Sequence, residues 1–182
     1  MGKLFKAAAD WQNDSIIYKS NDTWLYYSEG FKISAELIEK ELIENQQDRD
    51  FLIYPLLYLY RHYIELRCKE IIAVGKEILG ASNYLPNGGH DLMILWTETQ
   101  YILKEVWNHE YQQPKGSIVS KIKEFHKTDL KSDEFRYPVD KEGKYNLEQI
   151  ERINFRNFRD EFAEVKIYLE GVSDGLYILK DN

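Results

Sequence analysis

A chain of 182 residues, 43% hydrophobic and 30% charged, suits one domain with its own core and is not the composition of a disordered segment. Its formal net charge of −7 argues against a free-standing nucleic-acid binder with a broadly basic face. The single cysteine, Cys68, excludes an internal disulfide, and no run approaches the ~18 apolar residues of a membrane span; a cytoplasmic protein that meets no membrane is the expectation.

The start of the chain, Met1 to Asp10, has no long apolar stretch and does not read as a secretion signal. Residues 1–28 carry turn signals at Asn13-Asp14-Ser15 and Ser20-Asn21-Asp22. Trp11, Ile16, Ile17, Trp24 and Tyr26 make this segment too apolar for a free tail, so it is expected to pack on the body as an arm. From Phe31 to Glu44, Phe31, Ala35, Leu37, Ile38, Leu42 and Ile43 recur at helical spacing, with Glu36, Glu39, Lys40, Glu41 and Glu44 opposite. That pattern predicts an amphipathic surface helix with a solvated charged face. A long helix follows over about Arg49 to Leu79, with Pro55 in its first turns and Gly80 as its stop. After the Ala81–Gly89 loop, Asp91 predicts an N-cap for a helix through Asn108, buried along Leu92, Leu95, Trp96, Ile102, Leu103 and Val106. A shorter helix is predicted over Ser117 to Lys127, then a polar connection over residues 128–145. A last long helix is predicted over Leu147 to Leu169, with Gly171 and Gly175 interrupting its end. There is no internal repeat and no alternating run long enough for a sheet. The expected fold is all-α: one domain over 1–182, an antiparallel bundle of about five main helices with its core at about 31–170.

The long helix holds Arg61, His62, Glu65, Arg67 and Lys69 among apolar neighbours. Arg61 and Glu65, and Glu65 and Lys69, are four apart, so both pairs can meet on one face, with His62 beside them. Two readings stand: a charge ladder flanking a buried helix, or a polar cluster in a groove or at a dimer interface. Gly88-Gly89-His90-Asp91 reads as a loop closing on a helix cap, unless His90 turns toward Arg61 and Glu65. In Phe135-Arg136-Tyr137-Pro138, Arg136 lies between two aromatics and suits a carboxylate or phosphate; it either binds a ligand or staples the loop to an acid such as Glu65 or Asp91. Lys115, Lys121, Lys123, Lys127 and Lys131 form the most evident basic stretch, open to phosphate contact or simply solvated. His62 and Glu65 have helical-metal spacing but no second such pair, so no metal or other cofactor is expected. Cys68 shares its helix face with Ile64, Ile71 and Ile72 and reads as buried and inert.

Taken together, Tyr60-Arg61-His62-Tyr63-Ile64-Glu65-Leu66-x-x-Lys69, Gly89-His90-Asp91-Leu92-x-x-Leu95-Trp96 and Phe135-Arg136-Tyr137-Pro138 resemble a bacterial branch of the HEPN superfamily over residues of about 50 to 170. The resemblance implies an antiparallel helical bundle, a homodimer, and a role in toxin–antitoxin, CRISPR-associated or phage-defence systems, where members serve as metal-independent RNases. Their RNase motif, an arginine four to six residues before a histidine, is not met. Pro55, Leu56 and Leu57 precede His62 at that distance, Asn83, Tyr84 and Leu85 precede His90, and His109 and His126 have only Lys104 and Lys121. The expectation is therefore a non-catalytic module for a partner protein, a nucleotide or RNA, with Arg61, His62, Glu65, Lys69, His90, Asp91, Arg136 and Tyr137 as binding residues. The alternatives are a divergent RNase assembled from Arg61, His62, His90 and Arg136, and a purely structural interaction domain.

Overall fold

The computed structural model describes residue 4, residues 10–20 and residues 22–181. Five α-helices make up the fold, α1 (Thr23–Glu44), α2 (Arg49–Ile78), α3 (Leu92–Trp107), α4 (Gly116–Thr128) and α5 (Phe155–Lys180), and two single 3-10 turns add to them. Among the described residues there is no strand, only an isolated bridge between Val139 and Tyr145; the fold is all-α. No helix is long and apolar enough to cross a membrane among these residues.

Helix α2 is the hub, packing against α1, α3 and α5, while α4 closes the bundle between α3 and α5. Sixteen of its thirty residues are buried, so its apolar positions run around the axis rather than along one stripe, as a helix covered on several sides requires. A run of cross-helix pairs gives the direction of α5. Lys166 meets Glu36, Lys32 meets Glu170, and Lys180 meets Asp22, so α5 runs antiparallel to α1. Helix α2 ends as Gly80 adopts φ +69°, where glycine has no side chain to strain. The Gly80 and Ala81 amides then close on the Glu77 and Lys76 carbonyls, a glycine cap. The loop after it carries the chain back, so that α3 starts beside Arg61 and passes Gly75 at Ile102. A Cβ on Gly75 would lie 2.3 Å from the Ile102 methyl, so the close approach of α2 and α3 requires glycine there. Asp91 caps α3 as expected, its Oδ1 accepting from the Met93 and Ile94 amides at 2.8 and 3.0 Å.

Several elements differ from the sequence expectation. Helix α1 begins eight residues earlier than Phe31, at Thr23, whose hydroxyl donates to the Ser20 carbonyl at 2.6 Å. Its faces are also divided differently. Leu37 is 64% exposed and Ile43 53% exposed, whereas Glu39 is buried beside Lys166 and Ser28 is buried on Glu70. The buried face is chosen by the cations and acids of α2 and α5 it meets, not by hydrophobicity alone. Helix α5 starts at Phe155, because Leu147 takes φ +57° and the Asn154 side chain caps the Asn157 amide at 3.0 Å. It then runs through Gly171 and Gly175 to Lys180; Gly175 lies where a Cβ would meet the Trp107 ring at 3.1 Å. Residues 12–20 are exposed, with Tyr18 stacked on Tyr26 at 4.2 Å between ring centres. The expectation of a packed arm falls partly on residues 1–3, 5–9 and 21, which lie outside the described residues.

Candidate functional site

Helix α2 places Tyr58, Arg61, His62, Glu65 and Lys69 on one side, because spacings of three and four keep residues within the same third of the helix. The Arg61–Glu65 pair is not a solvated ladder. Both side chains are fully buried, and burying a charge requires partners. The Arg61 Nη1 donates to Glu65 Oε2 at 2.5 Å, and Nη2 donates to the His90 carbonyl at 2.6 Å. Its Nε lies 3.5 Å from Asp129, also fully buried. The other Glu65 oxygen accepts from Lys69 Nζ at 2.6 Å and from the His90 ring Nδ1–H at 2.9 Å. So His90 does turn toward Arg61 and Glu65: its backbone and its ring both close on the pair, while the ring itself stays 68% exposed. Burial pushes the Glu65 carboxyl up, but the Lys69 hydrogen bond and the charges of Lys69, Arg61 and His90 more than offset it, holding the group below the usual carboxylate range.

Asp129 was not singled out from the sequence. It ends α4, where a carboxylate opposes the helix dipole; that misplacement is the signal that it is held by something else, here Arg61. Burial pushes its carboxyl up to about 7, and a proton shared with Glu134 adds to the rise. Asp129 also accepts from the Glu134 amide at 3.2 Å, which anchors the segment that carries Arg136.

Arg136 pairs with neither Glu65 nor Asp91, the acids expected to staple it. Its Nη2 pairs with Asp133, and its Nε–H donates to the Ser132 carbonyl at 2.6 Å. Ser132 is buried at φ +63°, a conformation that costs a serine energy and is fixed by its surroundings. The tight turn it makes lets the local acid reach Arg136 first. The guanidinium lies 5.9 Å over the Tyr58 ring and 5.3 Å over Tyr137. Tyr58 is stacked at 5.7 Å on His62, whose other neighbour is the Phe31 ring at 4.4 Å. Burial pushes the His62 imidazole below its ordinary value, with Glu65 acting in the opposite sense, so it is neutral at pH 7. Its Nδ1 is buried without a hydrogen-bond partner.

The sequence-predicted residues thus fall into two neighbouring groups on one side of α2. Arg61, Glu65, Lys69 and His90 form a closely bonded polar cluster in which, of the buried side-chain atoms, the Arg61 Nε alone lacks a hydrogen bond; His62, Arg136 and Tyr137 join Tyr58 in a cation–aromatic row. Asp91 serves as the α3 cap, with the His126 ring 3.7 Å away. Tyr58 was missed, although its spacing of four from His62 is the signal that finds it. Among the described residues no group of three or more His, Cys, Asp or Glu side chains is placed to hold a metal ion. Cys68 is buried, and burial pushes its thiol up to about 12, which leaves it a thiol at neutral pH. No protein-family model matches the chain, and comparison with curated proteins and with solved structures gives no match either.

Proposed function

We propose that this chain is a HEPN-like binding module without nuclease chemistry, a homodimer serving a bacterial defence, toxin–antitoxin or stress system. Its ligand on this reading is a nucleotide or single-stranded RNA, held along the strip of Tyr58, His62, Lys69, His90, Arg136 and Tyr137. The observation that carries it is the engagement of Arg61. A nuclease needs a guanidinium free to stabilise a phosphorane, and here that group is buried and committed to Glu65, the His90 carbonyl and Asp129. What is left open along the strip suits binding: an exposed His90 ring, and an arginine over two tyrosines that offers a charge and stacking faces together.

Anisotropy of a fluorescent single-stranded RNA is the test. The wild type is expected to bind, and Arg136→Ala to weaken binding about fivefold, the value of a cation–aromatic contact of about 1 kcal/mol. Absence of binding by the wild type overturns the reading in favour of a structural interaction domain. A second reading, the divergent metal-independent RNase, is favoured by one observation: the neutral, half-buried His62 with an unpartnered ring nitrogen has the form of a general base. RNA cleavage in the presence of a chelator, lost in His62→Ala, would replace the first reading with the second. Light scattering in solution tests the homodimer, and a monomer overturns that part.

A further inference from the structure

At the end of the bundle remote from the Gly80 cap, the α1–α2 turn meets the start of α5 around an open depression of about 470 Å³. Its walls carry three arginines, Arg49, Arg156 and Arg159, and the side chains of Gln46 and Asn154; no Asp or Glu lines it. In a chain with a net charge of −7, a cationic pocket without a carboxylate is a built feature rather than an average surface. Arg49 lies between Asp48 and Asp50 in sequence and pairs with neither. Among the described residues neither Arg49 nor Arg156 has a carboxylate partner, and the Nε of Arg49 is buried without any hydrogen bond. Arg159 gives its Nε and Nη2 to the exposed Asp160 at 2.9 and 2.7 Å. Two of the three cationic charges are therefore not neutralised by any of the described side chains.

We infer that this pocket binds a phosphate monoester, the terminal phosphate of a nucleotide. A phosphomonoester carries between one and two negative charges at neutral pH and several acceptor oxygens, which match two unpaired guanidinium forks; a carboxylate or chloride would leave one of them unmatched. The sequence builds the site economically. Arg152, Arg156 and Arg159 follow at spacings of four and three, and α5 begins at Phe155, so its first turns present Arg156 and Arg159 on one side. Arg152 lines an adjoining groove of about 930 Å³, which shares Arg49 and Ile153 with the pocket and carries Tyr54 and Tyr145. A phosphate held by the arginines thus has room beside it for a nucleoside, over rings on which a base can stack. The same chemistry is offered by a free nucleoside monophosphate and by the 5′-phosphorylated end of an RNA strand. The groove also carries Arg136 and Tyr137 of the strip, but the phosphate is assigned to Arg49, Arg156 and Arg159, none of which belongs to that strip.

The test is calorimetry with adenosine monophosphate and adenosine, alongside anisotropy with one short single-stranded RNA prepared with and without a 5′-phosphate. The phosphorylated member of at least one pair is expected to bind at least tenfold more tightly than its unphosphorylated partner. Arg156→Glu should remove that difference, and Arg156→Lys should keep part of it. Arg156 is exposed and unpaired, so the variants should fold; circular dichroism checks this. Preference for the monophosphate alone identifies a free nucleotide, and preference for the phosphorylated RNA alone identifies a strand end. Equal binding with and without phosphate in both pairs, or a preference unchanged in Arg156→Glu, overturns the inference. His90 lines neither the pocket nor the adjoining groove, so His90→Ala reads the strip alone and Arg156→Glu the pocket alone: RNA affinity unchanged in the first sinks the strip, and phosphate preference unchanged in the second sinks the pocket.

Discussion

Two arginines on α2, Arg61 and Arg67, are both buried, yet the networks around them differ in kind. Every partner of Arg67 stands on a helix. Its Nη1 donates to Glu70 at 2.6 Å and to Ser173 at 3.2 Å, and Nη2 donates to Glu29. Glu70 in turn accepts from Ser28 at 2.6 Å and Ser173 at 2.5 Å. That network ties α1, α2 and α5 together and involves no loop. Arg61 has one helical carboxylate partner, Glu65, and otherwise reaches the His90 carbonyl and the α4 cap Asp129, where the chain enters and leaves irregular segments. The first arrangement fixes helix packing. The second fixes where two loops lie, and those loops present His90 and Arg136 to solvent. A buried charge on this helix shapes the surface only where its partners lead outward.

The largest expected effect falls on the closed network. Arg67→Ala leaves Glu70 buried with two serine hydroxyls and no cation, and should cost about 3–5 kcal/mol of stability in urea denaturation. Arg61→Ala should cost less, about 2–3 kcal/mol, because Glu65 keeps Lys69 and His90. If the two variants are equally damaging, the distinction between a closed and an open network fails. If Arg61→Ala alone also changes protease sensitivity in the 81–91 and 129–137 loops, the distinction is sharpened.

A pH series separates the networks further. In the folded chain Asp129 is pushed up to about 7, against about 3.9 in an unfolded chain. Between these values the folded state holds a proton that the unfolded state has released. The stabilisation it brings is complete below about pH 4 and fades as pH rises through 7. Asp129→Asn cannot lose that proton. From pH 5 to pH 8 the wild type should lose about 2–3 kcal/mol more than this variant. Parallel curves for the two proteins would show that Asp129 is ionised throughout and that Arg61 dominates Glu134.

The helices were largely legible in the sequence, since burial of α2, α3 and α4 follows from apolar spacing and the Asp91 cap from its side-chain chemistry. Helix α1 was less so: Leu37 and Ile43 suggested a buried face that Glu39 and Ser28 occupy instead, because the choice is made by Lys166 and Glu70 on other helices. Spacing also brought Arg61, Glu65 and Lys69 together, but could not say that Arg61 is buried, since its cover comes from residues near 90 and 129. Arg136 was found by its aromatic neighbours, while its partner Asp133 depends on a left-handed turn at Ser132 that no side-chain preference announces. The arginine pocket was hidden for a similar reason. Arg152, Arg156 and Arg159 are diluted by apolar residues, and Arg49 joins them only when the α1–α2 turn folds against α5.

The smallest expected effect is the most discriminating for the open network. His90 makes one side-chain hydrogen bond to Glu65 from a ring that is 68% exposed, and contacts with an exposed partner are worth little. Its carbonyl, which holds Arg61, survives substitution. His90→Ala should therefore lower stability by less than about 1 kcal/mol. If the strip binds RNA, the same variant should weaken that binding by more than its stability cost implies, since the exposed face of the ring has no other role in the fold. A stability loss comparable to that of Arg61→Ala would instead make His90 a structural plug, and the open network would differ from the closed one only in the elements it joins.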